Sequence, residues 1–138
     1  MQRVLLDTGP LVALMVDGDP HHKTCLDLSR EFAAPLCSCW AVITEAAWLL
    51  REYPLAIRNM LTALSTGFAE MLPLQSNEAG RIREIMERYS HLRPQLADAT
   101  LVYLAEREGI DTIFTLDRRD FSVYRTSKNR PFHLIPEF

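Results

Sequence analysis

Hydrophobic and polar positions along the chain follow two different periods. Short apolar runs bounded by turn residues are typical of buried strands, whereas apolar positions that recur every three to four residues are typical of helices. The pattern predicts strands at 3–7, 35–38, 69–74, 112–116 and 133–135, separated by helices at about 10–16, 19–32, 41–52, 54–66, 76–90 and 97–108. Strands that alternate with helices indicate a parallel sheet with helices on both faces.

The predicted fold class is therefore α/β. We expect a three-layer α/β/α architecture whose middle layer is a mostly parallel sheet of four to five strands. A length of 138 residues suits a single domain over residues 1–138. No apolar run approaches the roughly 18–20 residues that a membrane span requires, so we expect no membrane partner. Three cysteines, an odd number, and no recognisable secretion signal favour a reducing, cytoplasmic location.

Two acidic residues follow predicted strands directly. Asp7 comes after the apolar run Val4-Leu5-Leu6, and Asp117 comes after the strand predicted at 112–116. In an open parallel sheet, ligands bind beyond the carboxyl ends of the strands. The pattern thus brings two carboxylates to the edge of the sheet where ligands bind.

Two further acids lie on the apolar faces of predicted helices. Residues three, four and seven apart share a helix face. Glu45 shares its face with Val42 and Leu49, and Asp98 shares its face with Leu101. Solvated acids are expected on the opposite face, so we expect both side chains to point inward.

Each acid taken alone has an ordinary structural interpretation. Asp7 and Asp117 could satisfy turn amides, Asp98 could cap its helix, and Glu45 could pair with a buried arginine. Clustered carboxylates without a partner repel one another, and one or more would take up a proton. A hard divalent cation removes this conflict, and Mg²⁺ prefers oxygen ligands.

Four segments, in their order along the chain, resemble the PIN-domain family of nucleases, and most closely the small VapC-type toxins. The segments are VLLDTGPLVAL, TEAAWLL, LADATLVYLAE and TIFTLDRRDF. The resemblance implies a PIN-like fold and a Mg²⁺- or Mn²⁺-dependent ribonuclease with one or two ions, whose products carry a 5′ phosphate and a 3′ hydroxyl. It also implies that the catalytic and metal-binding residues are Asp7, Glu45, Asp98 and Asp117.

Three supporting positions accompany these acids. Thr115, two residues before Asp117, matches a frequent hydroxyl position of the family. Gly9 departs from the family, which often has Ser or Asn there, and Thr8 could supply the missing hydroxyl. Asp120 is either a fifth contributor to the metal site or a cap or ion-pair partner.

Partners are suggested by charge and by apolar surface. The net charge of −3 argues against binding RNA through bulk charge, but Arg118 and Arg119 are expected to contact phosphates beside the scissile bond. The resemblance implies a cognate antitoxin laid along the early helices, and a homodimer. These helices carry a surplus of apolar residues, namely Leu11, Leu14, Met15, Leu49, Leu50, Leu55, Met60, Leu61 and Leu64. Trp40 and Trp48 are expected in the core, with base stacking as an alternative for Trp40.

Two other functions compete with a ribonuclease toxin of a toxin–antitoxin pair. One is a non-catalytic module that binds nucleic acid or uses its acids for a regulatory Mg²⁺ ion. The other is an aspartyl-phosphate phosphatase, since Asp7-Thr8-Gly9 follows a strand. That chemistry usually needs a second aspartate two residues after the first, where this chain has Gly9.

Overall fold

The computed structural model describes residues 2–32 and 36–137. The described strands are β1 (Leu5–Leu6), β2 (Leu36–Ser38), β3 (Ala69–Met71), β4 (Thr112–Phe114) and β5 (His133–Ile135). The described α-helices are α1 (Thr8–Met15), α2 (His22–Ser29), α3 (Trp40–Leu49), α4 (Pro54–Ser65), α5 (Ala79–Arg88), α6 (Leu96–Glu108) and α7 (Arg118–Phe121).

The five strands form one parallel sheet in the order β3-β2-β1-β4-β5. The central strand β1 pairs Leu5 with Cys37 of β2 on one side and with Ile113 of β4 on the other. The chain builds outward from β1 to β3, and then crosses back to add β4 and β5. The strand order therefore reverses beside β1, and ligands of such sheets bind at that reversal. The predicted α/β class with a parallel central sheet is confirmed.

Burial explains why the strands are apolar on both faces. Leu5, Leu6, Ile113 and Phe114 are fully buried, because helices cover both sides of the sheet. Helix α6 packs against α3 and α5 and is buried along most of its length. Packing of α3 and α6 beside the central strands brings helical side chains to the carboxyl edge of the sheet.

Several element boundaries differ from the predicted ones. Strands β1, β3 and β4 are shorter than predicted, whereas β5 has the predicted bounds. The segment predicted as a helix from residue 76 begins with a 3₁₀ turn at Ser76–Glu78. Residue 35, the predicted start of the second strand, lies outside the described residues. Helix α7 was not predicted, because four residues are too few to show a helical period.

The two tryptophans were expected in the core, and that expectation is wrong. Trp40 is 59% exposed and Trp48 is 64% exposed. The buried stripe of α3 consists instead of Val42, Ile43 and Ala46, which face the sheet. No helix among the described residues is long and apolar enough to cross a bilayer.

Candidate metal centre at the carboxyl edge of the sheet

Asp7 lies directly after β1 and is anchored to the neighbouring strand β4. Its backbone N–H donates to the carbonyl oxygen of Phe114 at 2.9 Å, which continues the parallel ladder by one residue. Its side chain is 5% exposed, and the Thr115 hydroxyl donates to Oδ2 at 2.8 Å. The carboxylate is therefore held in one position at the lip of the core.

Thr115 connects this acid to the next one. The same hydroxyl that donates to Asp7 accepts the backbone N–H of Asp117 at 2.9 Å. Asp117 occupies the N-cap position of α7, where its Oδ1 accepts the backbone N–H of Asp120 at 3.3 Å. One buried hydroxyl thus ties together the ends of β1 and β4.

A cleft of about 540 Å³ opens above these strand ends, and helices α3 and α6 form part of its wall. Five acids line it, namely Asp7, Glu45, Asp98, Asp117 and Asp120. Asp98, Asp117 and Asp120 each offer a carboxylate oxygen, and these oxygens all lie within 4.8 Å of one another. Four separate elements therefore deliver carboxylates to one place.

Burial and repulsion from neighbouring carboxylates disfavour the charged forms of Asp7, Glu45 and Asp98. Burial raises the pKa of Asp98 to about 7, with further contributions from the charges of Asp7, Asp117, Glu45 and Asp120. Burial followed by the charge of Asp7 raises the pKa of Glu45. Burial also raises the pKa of Asp7, against the opposing effect of the Thr115 hydrogen bond. Within residues 2–32 and 36–137, no lysine or arginine nitrogen forms an ion pair with any of the five.

The donor set fits a hard divalent cation. All of the converging side-chain ligands are carboxylate oxygens, which Mg²⁺ and Mn²⁺ prefer. In addition, the Thr8 hydroxyl lines the cleft, and in the described part of the chain it is a buried oxygen without a hydrogen-bond partner. Unpaired buried oxygens and repelling carboxylates are both relieved by a cation.

The four predicted acids line one cleft, but the group of carboxylate oxygens within 4.8 Å of one another comprises Asp98, Asp117 and Asp120 and does not include Asp7 or Glu45. Thr8, Thr115 and Asp120 all lie at the cleft or contact its acids. At Gly9, a Cβ would lie 3.3 Å from Cβ of Leu116, so a larger residue there would press on that side chain.

The two arginines predicted to bind RNA lie in different surroundings. The Arg118 guanidinium donates to the carbonyl oxygen of Pro136 at 2.8 Å and reaches that of Leu134 at 3.5 Å, both at the end of β5. Arg119 is exposed. Their phosphate contacts stay a prediction.

One residue of the cleft was missed from the sequence. Arg93 lines the cleft beside Gln95 and the acids. It lies in the connection between α5 and α6, where no periodic pattern and no motif distinguishes one exposed arginine from another. Only the folded geometry places it opposite the carboxylates.

A PIN domain model matches residues 4–126 of the chain. The chain therefore belongs to the PIN-domain family. It is 30% identical over 135 residues to ribonuclease VapC26 of Mycobacterium tuberculosis (strain ATCC 25618 / H37Rv), a match that covers 96% of this chain and 100% of that protein. Within the family, the chain is thus a homologue of the VapC-type toxin ribonucleases.

Solved structures share the fold. VapC20 of Mycobacterium tuberculosis, described as a sarcin-ricin loop cleaving toxin, superposes with a TM-score of 0.73 at 18% identity, covering 84% of this chain and 91% of that one. DNA-bound VapBC of Salmonella typhimurium gives a TM-score of 0.63 at 16% identity, with 97% of each chain covered. VapBC2 of Rickettsia felis, bound to a promoter DNA fragment, gives a TM-score of 0.65 at 12% identity, covering 96% of this chain and 97% of that one.

Proposed function

We propose that this chain, as a VapC-type ribonuclease, hydrolyses RNA phosphodiester bonds with Mg²⁺ or Mn²⁺ held by Asp7, Asp98 and Asp117. Glu45 serves either as a fourth ligand or as the group that orients the attacking water. The observation that carries the proposal is the convergence of these carboxylates, separated by up to 110 positions in sequence, in one cleft without a cationic partner in the described chain.

The chemistry follows from the placement of each side chain. A divalent cation bound here would lower the pKa of a bound water molecule and would neutralise negative charge on the phosphate. Asp7 is fixed by Thr115 and therefore forms the rigid part of the site. Glu45 is partly buried on the wall of the cleft, where a carboxylate can accept a proton from water during attack on phosphorus. The expected products carry a 5′ phosphate and a 3′ hydroxyl.

The decisive experiment measures cleavage of a labelled RNA by the purified chain. We expect cleavage in Mg²⁺ or Mn²⁺, loss of cleavage in EDTA, and recovery when Mn²⁺ is added in excess. RNA that is bound but never cut would favour the non-catalytic module, and a covalent phosphate on Asp7 would favour the phosphatase. Either result would refute the proposed function.

A partner surface lies on helices α3 and α4 and meets the cleft at Leu49. We define the α3–α4 apolar face as Trp48, Leu49, Tyr53, Leu55 and Leu61, whose exposed fractions lie between 46% and 64%. Adjacent exposed apolar groups mark interaction surfaces. We propose that a cognate antitoxin covers this face, in line with the two VapBC structures among the neighbours. The chain is also proposed to form a homodimer and to act in the cytoplasm.

The test of this surface is a double variant, Leu55→Glu with Leu61→Glu. We expect it to fold normally, because both side chains are exposed, and to lose capture by the co-expressed antitoxin. Val123→Glu, an exposed apolar position outside the face, is the matched control. Undiminished capture by the double variant would contradict the proposed surface. Size-exclusion chromatography of the chain alone tests the homodimer.

A further inference from the structure

Arg93 has an unusual backbone conformation at the rim of the cleft. Its φ is 50° and its ψ is 57°, which is the left-handed region that residues with a side chain rarely adopt. It also precedes Pro94, and a residue before proline favours extended backbone. Such conformations persist where the surrounding structure enforces them, and they cluster at functional sites. The local backbone preferences of Arg93 and Pro94 therefore do not explain this conformation, and the surrounding structure must enforce it.

The side chain of Arg93 is exposed and has no ion pair or side-chain hydrogen bond with the residues that the structure describes. This is unexpected in a cleft lined by five acids. Other arginines of the chain do pair with nearby carboxylates, as Arg81 does with Glu106 and Arg107 with Glu78. Arg93 faces the same cavity as the acids but lies beyond ion-pair distance from each of them.

Arg93 is the one lysine or arginine among the described residues that line this cleft, which also contains five acids. A metal ion held by the acids would bind the scissile phosphate, and an RNA strand that continues along the cleft would pass Arg93 at its rim. A guanidinium binds phosphate oxygens in a forked geometry and is weakly hydrated, so it suits this contact. The N-terminus of α6, which begins three residues later at Leu96 and carries Asp98 in its first turn, adds positive partial charge to the same cleft.

We infer that Arg93 binds the RNA phosphate adjacent to the scissile bond, a role that rests on the proposed ribonuclease function of this cleft. The contact positions the strand and carries no sequence information, as is usual for phosphate contacts. Arg93 is thus a positioning residue for the substrate, and its loss weakens RNA binding more than it slows the chemical step.

The experiment measures binding of a fluorescent single-stranded RNA by anisotropy in EDTA, where the absence of a divalent cation leaves the RNA uncut. Arg93→Ala is expected to raise Kd roughly tenfold, as for loss of one charge-assisted contact. It should also make the slope of log Kd against log salt shallower by about 0.7, since one phosphate contact is lost. Arg93→Lys keeps the charge and should retain most of the affinity.

Two controls separate this role from a structural one. Arg88→Ala removes an equal charge from an exposed position five residues earlier, outside the cleft lining, and should leave Kd within twofold. Arg93→Gly should bind RNA as weakly as Arg93→Ala, yet unfold at an equal or higher urea concentration than the parent, because glycine accepts a positive φ. Asn129→Gly, at the other non-glycine positive φ, should leave Kd unchanged.

Specific results would overturn the inference. The inference fails if Arg93→Ala has the same Kd for RNA and the same salt slope as the parent chain. It also fails if Arg88→Ala loses as much RNA affinity as Arg93→Ala, or if Arg93→Lys binds RNA as weakly as Arg93→Ala. In the otherwise unmodified chain, Arg93→Ala should raise KM more than it lowers kcat. A wild-type chain that binds RNA without cutting it refutes the ribonuclease mechanism, while the binding comparison still decides the role of Arg93.

Discussion

The two ends of helix α6 hold acids in opposite circumstances. Near its first turn, Asp98 faces other carboxylates in the cleft. Around its last turn, a group that we term the α6 ion-pair network joins Arg107 to Glu78 at 2.8 Å and Arg3 to Glu108 at 3.0 Å. Ten positions of one helix, about 15 Å, separate Asp98 in the unpaired cluster from Glu108 in the paired one.

The acid–base properties follow from this difference. Hydrogen bonds from Tyr103, the Gln75 backbone and Arg107 lower the pKa of Glu78 to about 2. Burial and neighbouring carboxylates raise the pKa of Asp98 to about 7. An acid whose charge is matched stabilises the fold, whereas an acid whose charge is unmatched opposes it until a ligand supplies the missing charge. The comparison distinguishes a structural acid that pairs with the last turn of α6 from a functional acid in its first turn.

The largest expected difference between the two ends is in activity. Asp98→Asn should lower metal-dependent RNA cleavage by about 10³-fold, or ~4 kcal/mol of transition-state stabilisation, because a metal ligand is lost. Glu78→Gln should leave the cleavage rate within twofold and instead lower the urea midpoint of unfolding. Rate assays and urea titrations on both variants check this, and full activity in a folded Asp98→Asn protein would remove that residue from the mechanism.

A second difference is expected in metal-induced stability. Mg²⁺ at about 100 times its Kd should raise the free energy of unfolding by about 2.7 kcal/mol, since it binds only the folded cleft. Asp98→Asn should lose most of this gain, while Glu78→Gln should keep it. Thermal unfolding with Mg²⁺ and with EDTA measures the effect. An equal gain in both variants would place the ion outside the cleft.

The two ends of β4 offer a smaller, matched comparison. Thr115→Val removes the hydroxyl that joins Asp7 to the backbone of Asp117. It should destabilise the fold by about 2 kcal/mol, because the buried Asp7 carboxylate loses a donor and the partly buried Asp117 N–H loses its acceptor. Cleavage should fall roughly tenfold. Thr112→Val, at the amino end of the same strand, removes a hydroxyl that contacts Gln2. It should leave cleavage unchanged, so equal activity losses would contradict a positioning role for Thr115.

The smallest effect concerns pH. The folded pKa of Asp98 is raised to about 7, so the metal-free folded chain holds a proton that the unfolded chain releases near pH 4. The contribution of the Asp98 carboxyl to the free energy of unfolding is fully present below about pH 4. It declines by about 1 kcal/mol as pH rises to 7, after allowance for solvent screening. Urea unfolding in EDTA at pH 5 and 7 measures the decline, and Asp98→Asn should flatten it.

The paired end predicts the opposite trend. Because the pKa of Glu78 is lowered to about 2, its contribution is present above the usual glutamate range and is lost as pH falls toward 2. Glu78→Gln should therefore reduce the sensitivity of stability to acid. An unchanged acid profile in that variant would show that the α6 ion-pair network contributes little to folding.

The sequence was most informative where burial and periodicity act together. Asp7 and Asp117 could be located because each follows an apolar strand, and parallel strands end at a common edge. Glu45 and Asp98 could be located because they interrupt apolar helix faces. The pattern failed for Trp40 and Trp48, whose size suggested burial although α3 packs through Val42 and Ala46.

Other features depend on contacts that a single sequence does not reveal. The short helix α7 forms because Asp117 caps it, and this brings Asp120 back toward the cleft. The position of Arg93 depends on a left-handed residue between two helices. Neither feature has a period or a motif, so only the packing of distant segments determines them.

The placement of β1 in the middle of the sheet has a consequence during synthesis. Asp7 and Glu45 emerge from the ribosome early, but β4, which pairs with β1 and precedes Asp117, begins more than a hundred residues after Asp7. A nascent chain still lacking that strand holds only part of the carboxylate set. The cleft is therefore completed only after β4 and Asp117 have been synthesised.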